Sequence, residues 1–401
     1  MEPLGMRRMG EHDIAAKDPL LMTEAEAYAY YAPDTAYVVN VEAGDYVDVR
    51  PLYWVGGTTA ADKWVDWGDG TREVFTGDHP KHTYEASGNY VIRLSGNCTW
   101  FRAGRYSSEM VGHKYIVRVL RFGDNVNYFT QLFTDCTRAT CFPDGKLPRW
   151  PKAAASVKAF YDVYSGCTSL APTELPAWPS GLTSIGNVYY GCTSLALTEL
   201  PAWPSGLTSI GDVYSDCTSL APTELPAWPS GLTSIGNVYW ECTSLDVTEI
   251  PDWPDSCEYI GSVFRNCQKM ALTKLPEWPK SLKKICDHSS EWYGVYWRCY
   301  AIKADKIPEW PEGLTSANGV YSGCRGITGK IPKWPANATQ MSWTYNGCSL
   351  LTGAWTSDPA ELMPTNITSH GGCVSGASDA LRALFYSDWG GTRTKEETTT
   401  T

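Results

Sequence analysis

A cysteine returns every 25 residues through the middle of this 401-residue chain, and a Pro-x-Trp-Pro element returns with it. The cysteines are Cys167, Cys192, Cys217, Cys242 and Cys267, with Cys136 before them and Cys299, Cys324, Cys348 and Cys373 after them. The tryptophans are Trp150, Trp178, Trp203, Trp228, Trp253, Trp278, Trp310 and Trp334. A fixed period of this length is typical of a solenoid, in which each repeat packs only on its neighbours. Because stacked repeats make long surfaces and few clefts, the pattern favours binding.

One repeat, residues 163–187, shows what the period demands. Its recurring apolar positions fit neither a helical nor a strand period, so they indicate a coil that turns inward several times. We expect short strands at Thr173–Leu175 and Leu182–Ile185, paired in parallel between repeats. A cysteine at one fixed place per repeat is typical of a small buried residue with a free thiol. Four cysteines fall outside the period and are favoured over the periodic ones as disulfide partners, a question that the sequence leaves open: Cys98, Cys141, Cys257 and Cys286.

The order Cys-x-x-Leu, Leu-Pro, Leu-x-x-Ile-Gly and Val-Tyr-x-x-Cys resembles the BspA-type leucine-rich repeat. The matching residues of one repeat are Cys192, Leu195, Leu200, Pro201, Leu207, Ile210, Gly211, Val213 and Tyr214. The chain departs from that family by its Trp-Pro insertion and by Val-Tyr where Ala-Phe is usual. The resemblance covers about residues 126–374 and implies a solenoid of about ten 25-residue repeats. Such repeats are known from bacterial surface proteins and phage proteins, which implies adhesion or scaffolding.

The first part of the chain predicts an all-β domain, with short strands at Tyr37–Val41 and Tyr46–Val49 and a turn across Val65–Thr71. The motif resembles the PKD-type immunoglobulin-like sandwich, and the matching residues are Trp67, Gly68, Asp69, Gly70, His82, Tyr84, Gly88 and Tyr90. By this resemblance Asp69 braces the turn, and the domain is a spacer or a binding module. A calcium site at Asp66, Asp69 and Asp78, or a metal pair at His79 and His82, is less favoured, because the spacing is not that of a calcium-binding loop.

Helix signals flank these two regions. Thr23-Glu-Ala-Glu26 is a capping box that predicts a short helix through Tyr30, and Asp379–Tyr386, capped by Ser378, predicts a helix that covers the last repeat. The predicted organisation is therefore mainly β. It comprises an arm and short helix at 1–34, a PKD-like sandwich at 35–100, a connector and solenoid N-cap at 101–125, the solenoid at 126–374, a capping helix at 375–391 and a polar tail at 392–401.

Repeats can be compared with one another to separate core from surface. The residue two before each cysteine varies most, and the residue one before it also varies, so we expect both to face solvent. Aromatic residues and arginine, which are common at binding hot spots, collect there as Tyr190, Trp240, Arg265, Trp297 and Arg298. An insertion between Cys267 and Cys299 adds Trp292 and Tyr293. These seven residues are the predicted ligand-binding set, although variation at an idle surface would look the same.

Two other rows of residues recur in the repeats. The tryptophan row either packs inside or presents aligned rings to sugars or prolines, and we favour packing because the rings do not vary. Four glutamates recur at one position, Glu174, Glu199, Glu224 and Glu249, and are expected to form a solvated acidic row. A divalent cation bridging adjacent carboxylates is the alternative.

Bulk properties exclude several function classes. The net charge of −11 argues against nucleic acid as a partner, and no apolar run reaches the length of a membrane span. The N-terminus lacks the apolar stretch of a secretory signal. No nucleophile elbow, phosphate-binding loop or paired-cysteine metal motif is present, so we expect no catalytic residues, no metal site and no cofactor.

The sequence therefore predicts a non-enzymatic binding or adhesion protein. Surface-type modules without a secretory signal favour a phage virion component, such as a fibre, tail or capsid-decoration protein, assembled in the host cytoplasm as part of a larger assembly. Its partners would be a host surface glycan or protein, or other virion subunits. The alternatives are a bacterial cell-surface adhesin whose export signal is missing from this sequence, and a purely architectural virion subunit. A glycan-active enzyme is the least favoured and would need two carboxylates at catalytic separation.

Overall fold

The structure is a computed structural model that describes residues 17–56, 59–74, 80–105, 107–108, 110–286, 294–357 and 371–386. The chain divides into two compact units. The first contains Met1–Leu232 and Glu241–Leu245, and the second contains Thr233–Trp240 and Asp246–Thr401. The fold is mainly β, with short parallel strands of a β-solenoid in each unit.

Helix α1, Glu24–Tyr30, is the first α-helix of the described residues and has the predicted capping box. The backbone N–H of Glu26 donates to the Thr23 hydroxyl, and the Glu26 carboxylate accepts from the backbone N–H of Thr23 at 2.8 Å. Both orphan donors at the helix start are thereby satisfied. Ala27 and Tyr31 pack into a buried cluster with Leu120 and Phe142, which explains why so short a helix is held.

The strands that follow are antiparallel. They are β1 (Thr35–Val41), β2 (Tyr46–Asp48), β3 (Arg50–Trp54), β4 (Trp64–Asp66), β5 (Arg72–Val74), β6 (Lys81–Thr83), β7 (Gly88–Leu94), β8 (Cys98–Arg102) and β9 (Ile116–Arg121). One sheet has the order β5-β4-β7-β1-β9, and β2-β6 and β3-β8 form separate pairs. β9 lies within the predicted connector 101–125 and pairs with β1, so the antiparallel sheet extends beyond the region in which we expected strands.

The predicted turn between β4 and β5 is confirmed. Gly68 and Gly70 have φ of +82° and +92°, and a Cβ at Gly68 would lie 2.6 Å from the Val91 carbonyl oxygen, so glycine is required there. Asp69 accepts from the Thr71 backbone N–H at 3.0 Å and bonds His82 Nε2 at 2.6 Å. His82 stacks on Trp67 with ring centroids 5.2 Å apart. Asp69 therefore braces the turn as predicted, while Asp78 and His79 lie outside the described residues.

Solenoid strands occur in both units. The first unit has β10 (Phe129–Thr130), β11 (Ala159–Tyr161), β12 (Ser184–Gly186) and β13 (Ser209–Gly211). The second has β14 (Ser234–Gly236), β15 (Tyr259–Ile260), β16 (Lys284–Ile285), β17 (Ser316–Ala317), β18 (Lys330–Ile331) and β19 (Gly353–Ala354). All their pairings within a unit are parallel and join equivalent residues, as Ile185 with Ile210 in the first and Ile260 with Ile285 in the second. The 25-residue period therefore sets which residues of neighbouring strands pair with each other.

The prediction of a strand at Thr173–Leu175 is wrong. That segment is irregular, and one backbone hydrogen bond joins it to the preceding repeat, from the Thr173 N–H to the Gly145 carbonyl at 2.8 Å. Pro176 follows directly and has no N–H to continue a ladder. The strand expected at Leu182–Ile185 exists but is displaced to Ser184–Gly186.

Thiols form a regular file in the core of each unit. All ten periodic cysteines are buried. In the eight repeats from Cys167 to Cys348, the thiol donates to the backbone carbonyl of the aromatic residue one repeat earlier, as Cys217 does to Tyr189 and Cys324 does to Tyr296, both at 3.1 Å. The four cysteines outside the period, for which the sequence left disulfides open, are all free thiols. Each has a carbonyl acceptor of its own, for example Asn318 for Cys286 at 2.9 Å.

Aromatic rings stack beside the thiols. In the first unit Tyr164, Tyr189 and Tyr214 follow one another at 5.9 Å and within 6° of parallel. The second unit repeats this arrangement, as between Tyr321 and Tyr345 at 5.7 Å. The tryptophans from Trp178 to Trp334 are 2–8% exposed and also stack on one another. The alternative in which their rings face sugars is therefore wrong for these residues, and the favoured packed arrangement is confirmed.

Helix α2, Asp379–Tyr386, ends the described chain, as predicted. The Leu381 N–H donates to the Ser378 hydroxyl at 3.2 Å, and Leu381 is fully buried. No helix in the described part of the chain combines the length and apolar character that a membrane crossing needs.

Candidate functional site

Most repeats bend through left-handed backbone at two places, directly before the cysteine and five residues before it. Most repeats place glycine, asparagine or aspartate there, as in Gly191 and Asn187 or Gly323 and Gly319. These residue types tolerate positive φ, and bulky side chains do not. Four repeats carry a larger residue at one of these places: Gln131, Glu241, Arg298 and Trp343. Arg298 and Trp343, both at φ +59°, belong to the second unit.

Four predicted residues form one stack in the second unit. The Arg265 guanidinium lies over Trp240 at 4.7 Å and over Trp297 at 4.9 Å, measured to the ring centroids. The guanidinium of Arg298 lies 4.0 Å from the same Trp297 ring. Because the two-before position recurs in register, residues 25 or 32 apart in sequence become neighbours. The structure thus brings Trp240, Arg265, Trp297 and Arg298 together, as the predicted binding set required.

The stack continues into a groove of about 450 Å³. Its main lining residues are Trp297, Arg298, Tyr300, Arg325, Trp343 and Asn346, and we call this surface the arginine–tryptophan groove. Arg325 lies over the Tyr300 ring at 5.2 Å. Arg298 and Arg325 are exposed, and neither forms an ion pair with any carboxylate of the described residues. The groove therefore offers two solvated guanidinium groups beside aromatic surface.

Of the other three predicted residues, the structure describes only Tyr190. Tyr190 is half-buried in the first unit, where burial and a hydrogen bond to Asp216 raise the pKa of its hydroxyl to about 12. It belongs to a different unit from the other four described residues. Trp292 and Tyr293 lie outside the described residues.

Sequence comparison of the repeats missed three residues of the groove: Tyr300, Arg325 and Trp343. Tyr300 and Arg325 follow directly after their cysteines, where Thr168, Thr193 and Thr218 set a threonine pattern. Trp343 occupies a place where other repeats have Asn187, Asp212 or Asn237. The signal was present in both cases, as a departure from the repeat rather than as general variation.

A second cavity of about 590 Å³ lies in the first unit, beside the partly exposed Trp150 and the proline-rich start of the solenoid. Four of its five charged lining residues pair with one another, Arg149 with Glu24 and Lys146 with Glu174 at 3.2 Å. The acidic row is exposed, and Glu174 has a lysine for its partner. No group of three metal-ligating side chains comes together anywhere in the described ranges.

No protein-family model matches the sequence, and no curated protein matches it. Among solved structures it is similar to a leucine-rich repeat protein from Eubacterium ventriosum, with 14% identity over 66% of this chain and 84% of the other and a TM-score of 0.33. A leucine-rich repeat protein from Bacteroides ovatus has 15% identity over 74% and 82%, with a TM-score of 0.31. YopM from Yersinia enterocolitica has 16% identity over 57% and 53%, with a TM-score of 0.25. Similarity at this level does not decide what the chain binds.

Proposed function

We propose that this protein is a non-enzymatic binding protein that holds a partner from a host cell envelope in the arginine–tryptophan groove. The observation that carries the proposal is the pair of bulky left-handed residues, Arg298 and Trp343, that line one groove. A bulky residue in this conformation costs about 1–3 kcal/mol. The solenoid does not need that cost, because other repeats make the same bends with glycine, asparagine or aspartate. Strain of this kind is typical of ligand clamps.

Composition supports the same surface. Tryptophan, tyrosine and arginine are the residues that most often dominate binding energy, and five of them line this groove. Most charged residues that line the cavity of the first unit pair with one another, so fewer charged groups there are available to a ligand. The groove is therefore the favoured recognition surface.

The setting we propose is a phage virion, in which the protein serves as a fibre, tail or capsid-decoration component and the β domain of residues 35–100 acts as a PKD-like spacer. The support is the sequence pattern, which combines two modules of the surface type in one chain. Helix α2 would cover the last repeat of the solenoid, since its residue Leu381 is buried. A bacterial surface adhesin is the principal alternative setting.

The binding proposal is tested by giving the groove the residues that other repeats use. Arg298→Asn copies Asn266, and Trp343→Asn copies Asn187. Both variants should fold, since asparagine suits positive φ, and both should lose at least tenfold in affinity for envelope fragments of the bacterium that hosts the particles. Tyr190→Ser is the matched control, because it copies Ser165 and Ser215 and lies in the first unit. Variants that bind those fragments like the parent protein would refute the proposal.

The setting is tested separately. Mass spectrometry of gradient-purified particles should find the protein in stoichiometric amount, whereas its presence on cells and absence from particles would support the adhesin. A purely architectural role predicts that an arginine-specific reagent fails to modify Arg298 in intact particles but modifies it in the isolated protein.

A further inference from the structure

The stacked rings determine how the guanidinium groups of the groove are presented. A guanidinium that lies over an aromatic ring uses its flat face for that contact, and its N–H donors stay in the plane of the group. Arg298 is stacked on Trp297 at 4.0 Å, and Arg325 lies over Tyr300 at 5.2 Å. The rings therefore hold both groups in place while their donor edges stay available. A carboxylate, sulfate or phosphodiester accepts from such an edge with two oxygens.

Charge selects the same chemistry. The chain carries a net charge of −11, yet the lining of the groove contains two arginines and no aspartate or glutamate. The cavity of the first unit differs, since Glu24 and Glu174 lie among its lining residues. A local cationic groove on an acidic protein attracts an anion there and repels it from most of the remaining surface.

The other lining residues distinguish a sugar polymer from a peptide. The groove has no aliphatic side chain of the kind that anchors peptide residues. It has the exposed Tyr300 hydroxyl, and an amide at Asn346 that is held by Ser322 at 3.4 Å and by the Ser375 carbonyl at 3.0 Å. Hydroxyl and amide groups pair with sugar hydroxyls, and an aromatic ring covers the apolar face of a sugar. We infer that the groove binds an acidic polysaccharide, with its oxyanions at Arg298 and Arg325 and a neighbouring sugar against Trp343. This inference rests on the proposed function and names its ligand class.

The test measures binding of the full chain to defined polymers by biolayer interferometry. Polygalacturonate supplies carboxylates, dextran sulfate supplies sulfates and a phosphomannan supplies phosphodiesters between sugars. Dextran is the neutral control, and poly-L-glutamate is the acidic peptide control. We expect at least one acidic polymer of the first three to bind at least tenfold more tightly than both controls. Arg298→Lys and Arg325→Lys keep the charge but lose the planar fork, and each should weaken that binding by about tenfold or more.

Lys333→Gln removes one exposed charge of the second unit outside the groove and is the matched control; it should leave binding within about twofold. Equal binding to poly-L-glutamate, no preference over dextran, or no effect of the two arginine variants would each overturn the inference. If the groove variants lose binding to envelope fragments while no acidic polymer binds, the ligand class is wrong and the proposed function stands. If neither material depends on the groove, both proposals fail.

Discussion

Replacing Cys217 tests whether the thiol file stabilises the solenoid by hydrogen bonding or only by filling space. The Cys217 side chain is fully buried, and its sulfur lies 3.1 Å from the Tyr189 carbonyl oxygen. That oxygen also accepts the backbone N–H of Cys192 at 3.1 Å. Cys217→Ala therefore leaves no orphaned carbonyl. It removes one weak hydrogen bond and leaves a cavity the size of a sulfur atom, so we expect a loss of about 1–2 kcal/mol in the free energy of unfolding.

Cys217→Ser decides between the two explanations. A serine hydroxyl can donate to the same carbonyl, so this variant should lose only about 0–1 kcal/mol and be more stable than the alanine variant. In a slot that is merely apolar, a buried hydroxyl without a partner costs about 1–3 kcal/mol and the order reverses. Urea unfolding followed by tryptophan fluorescence measures both values. The same pair of substitutions at Cys192 is an internal repeat, because its sulfur donates to Tyr164 at 3.2 Å. A serine variant less stable than the alanine variant at both sites would refute the reasoning.

Three further predictions follow from other contacts. Burial raises the pKa of core thiols such as Cys192 and Cys217 well above its ordinary value. Their contribution to the free energy of unfolding is therefore complete below about pH 8.5, and above it each thiol lowers that free energy by about 1.4 kcal/mol per pH unit. The midpoint of urea unfolding should fall steeply from about pH 7 to 10.5, and less steeply when both residues are alanine. Burial opposes ionisation of Asp69, but hydrogen bonds from Thr71 and His82 outweigh it and lower the pKa of the carboxyl; Asp69→Asn should therefore flatten the loss of stability below about pH 4, measured by acid titration of circular dichroism, and an unchanged curve would contradict this. Trp297→Ala should release the guanidinium groups of Arg265 and Arg298 from this ring and abolish groove binding. Trp297→Phe keeps a ring and should retain part of the binding. Equal loss of binding in the two variants would show that the ring face is not what matters.

The fold could be predicted where one residue type answers one local requirement. The capping box at Thr23, the glycines of the β4–β5 turn and the parallel register of the repeats are all of this kind. The prediction of a strand at Thr173–Leu175 failed because it rested on the spacing of apolar residues. That spacing takes no account of Pro176, which has no backbone N–H to continue a ladder of hydrogen bonds. Strand β9 was missed because its partner β1 lies about 80 residues away in the sequence, and pairing over that distance leaves no local signal.

The candidate site divides along similar lines. Trp240, Arg265, Trp297 and Arg298 could be grouped because they occupy neighbouring positions in successive repeats, and a solenoid converts shared position into contact. Tyr190 fits the same pattern but belongs to the first unit, which no period reveals. Tyr300, Arg325 and Trp343 reach the groove from other places in the repeat. Their departure from the repeat marks them in the sequence, but grouping them into one groove requires knowing where the backbone bends, which the coordinates supply.

The left-handed bends have an evolutionary consequence. Bending is assigned to two positions per repeat. The residue two before the cysteine is buried where it is Ser165, Ser215 or Ser322 and half-buried where it is Tyr190, Trp240 or Trp297, so that position accepts both small and large side chains. It can be exchanged from one copy to the next without changing the bends. A gene built from such near-identical units can alter what its product recognises by point changes or by unequal crossing-over, and a change of ligand would then need no new scaffold.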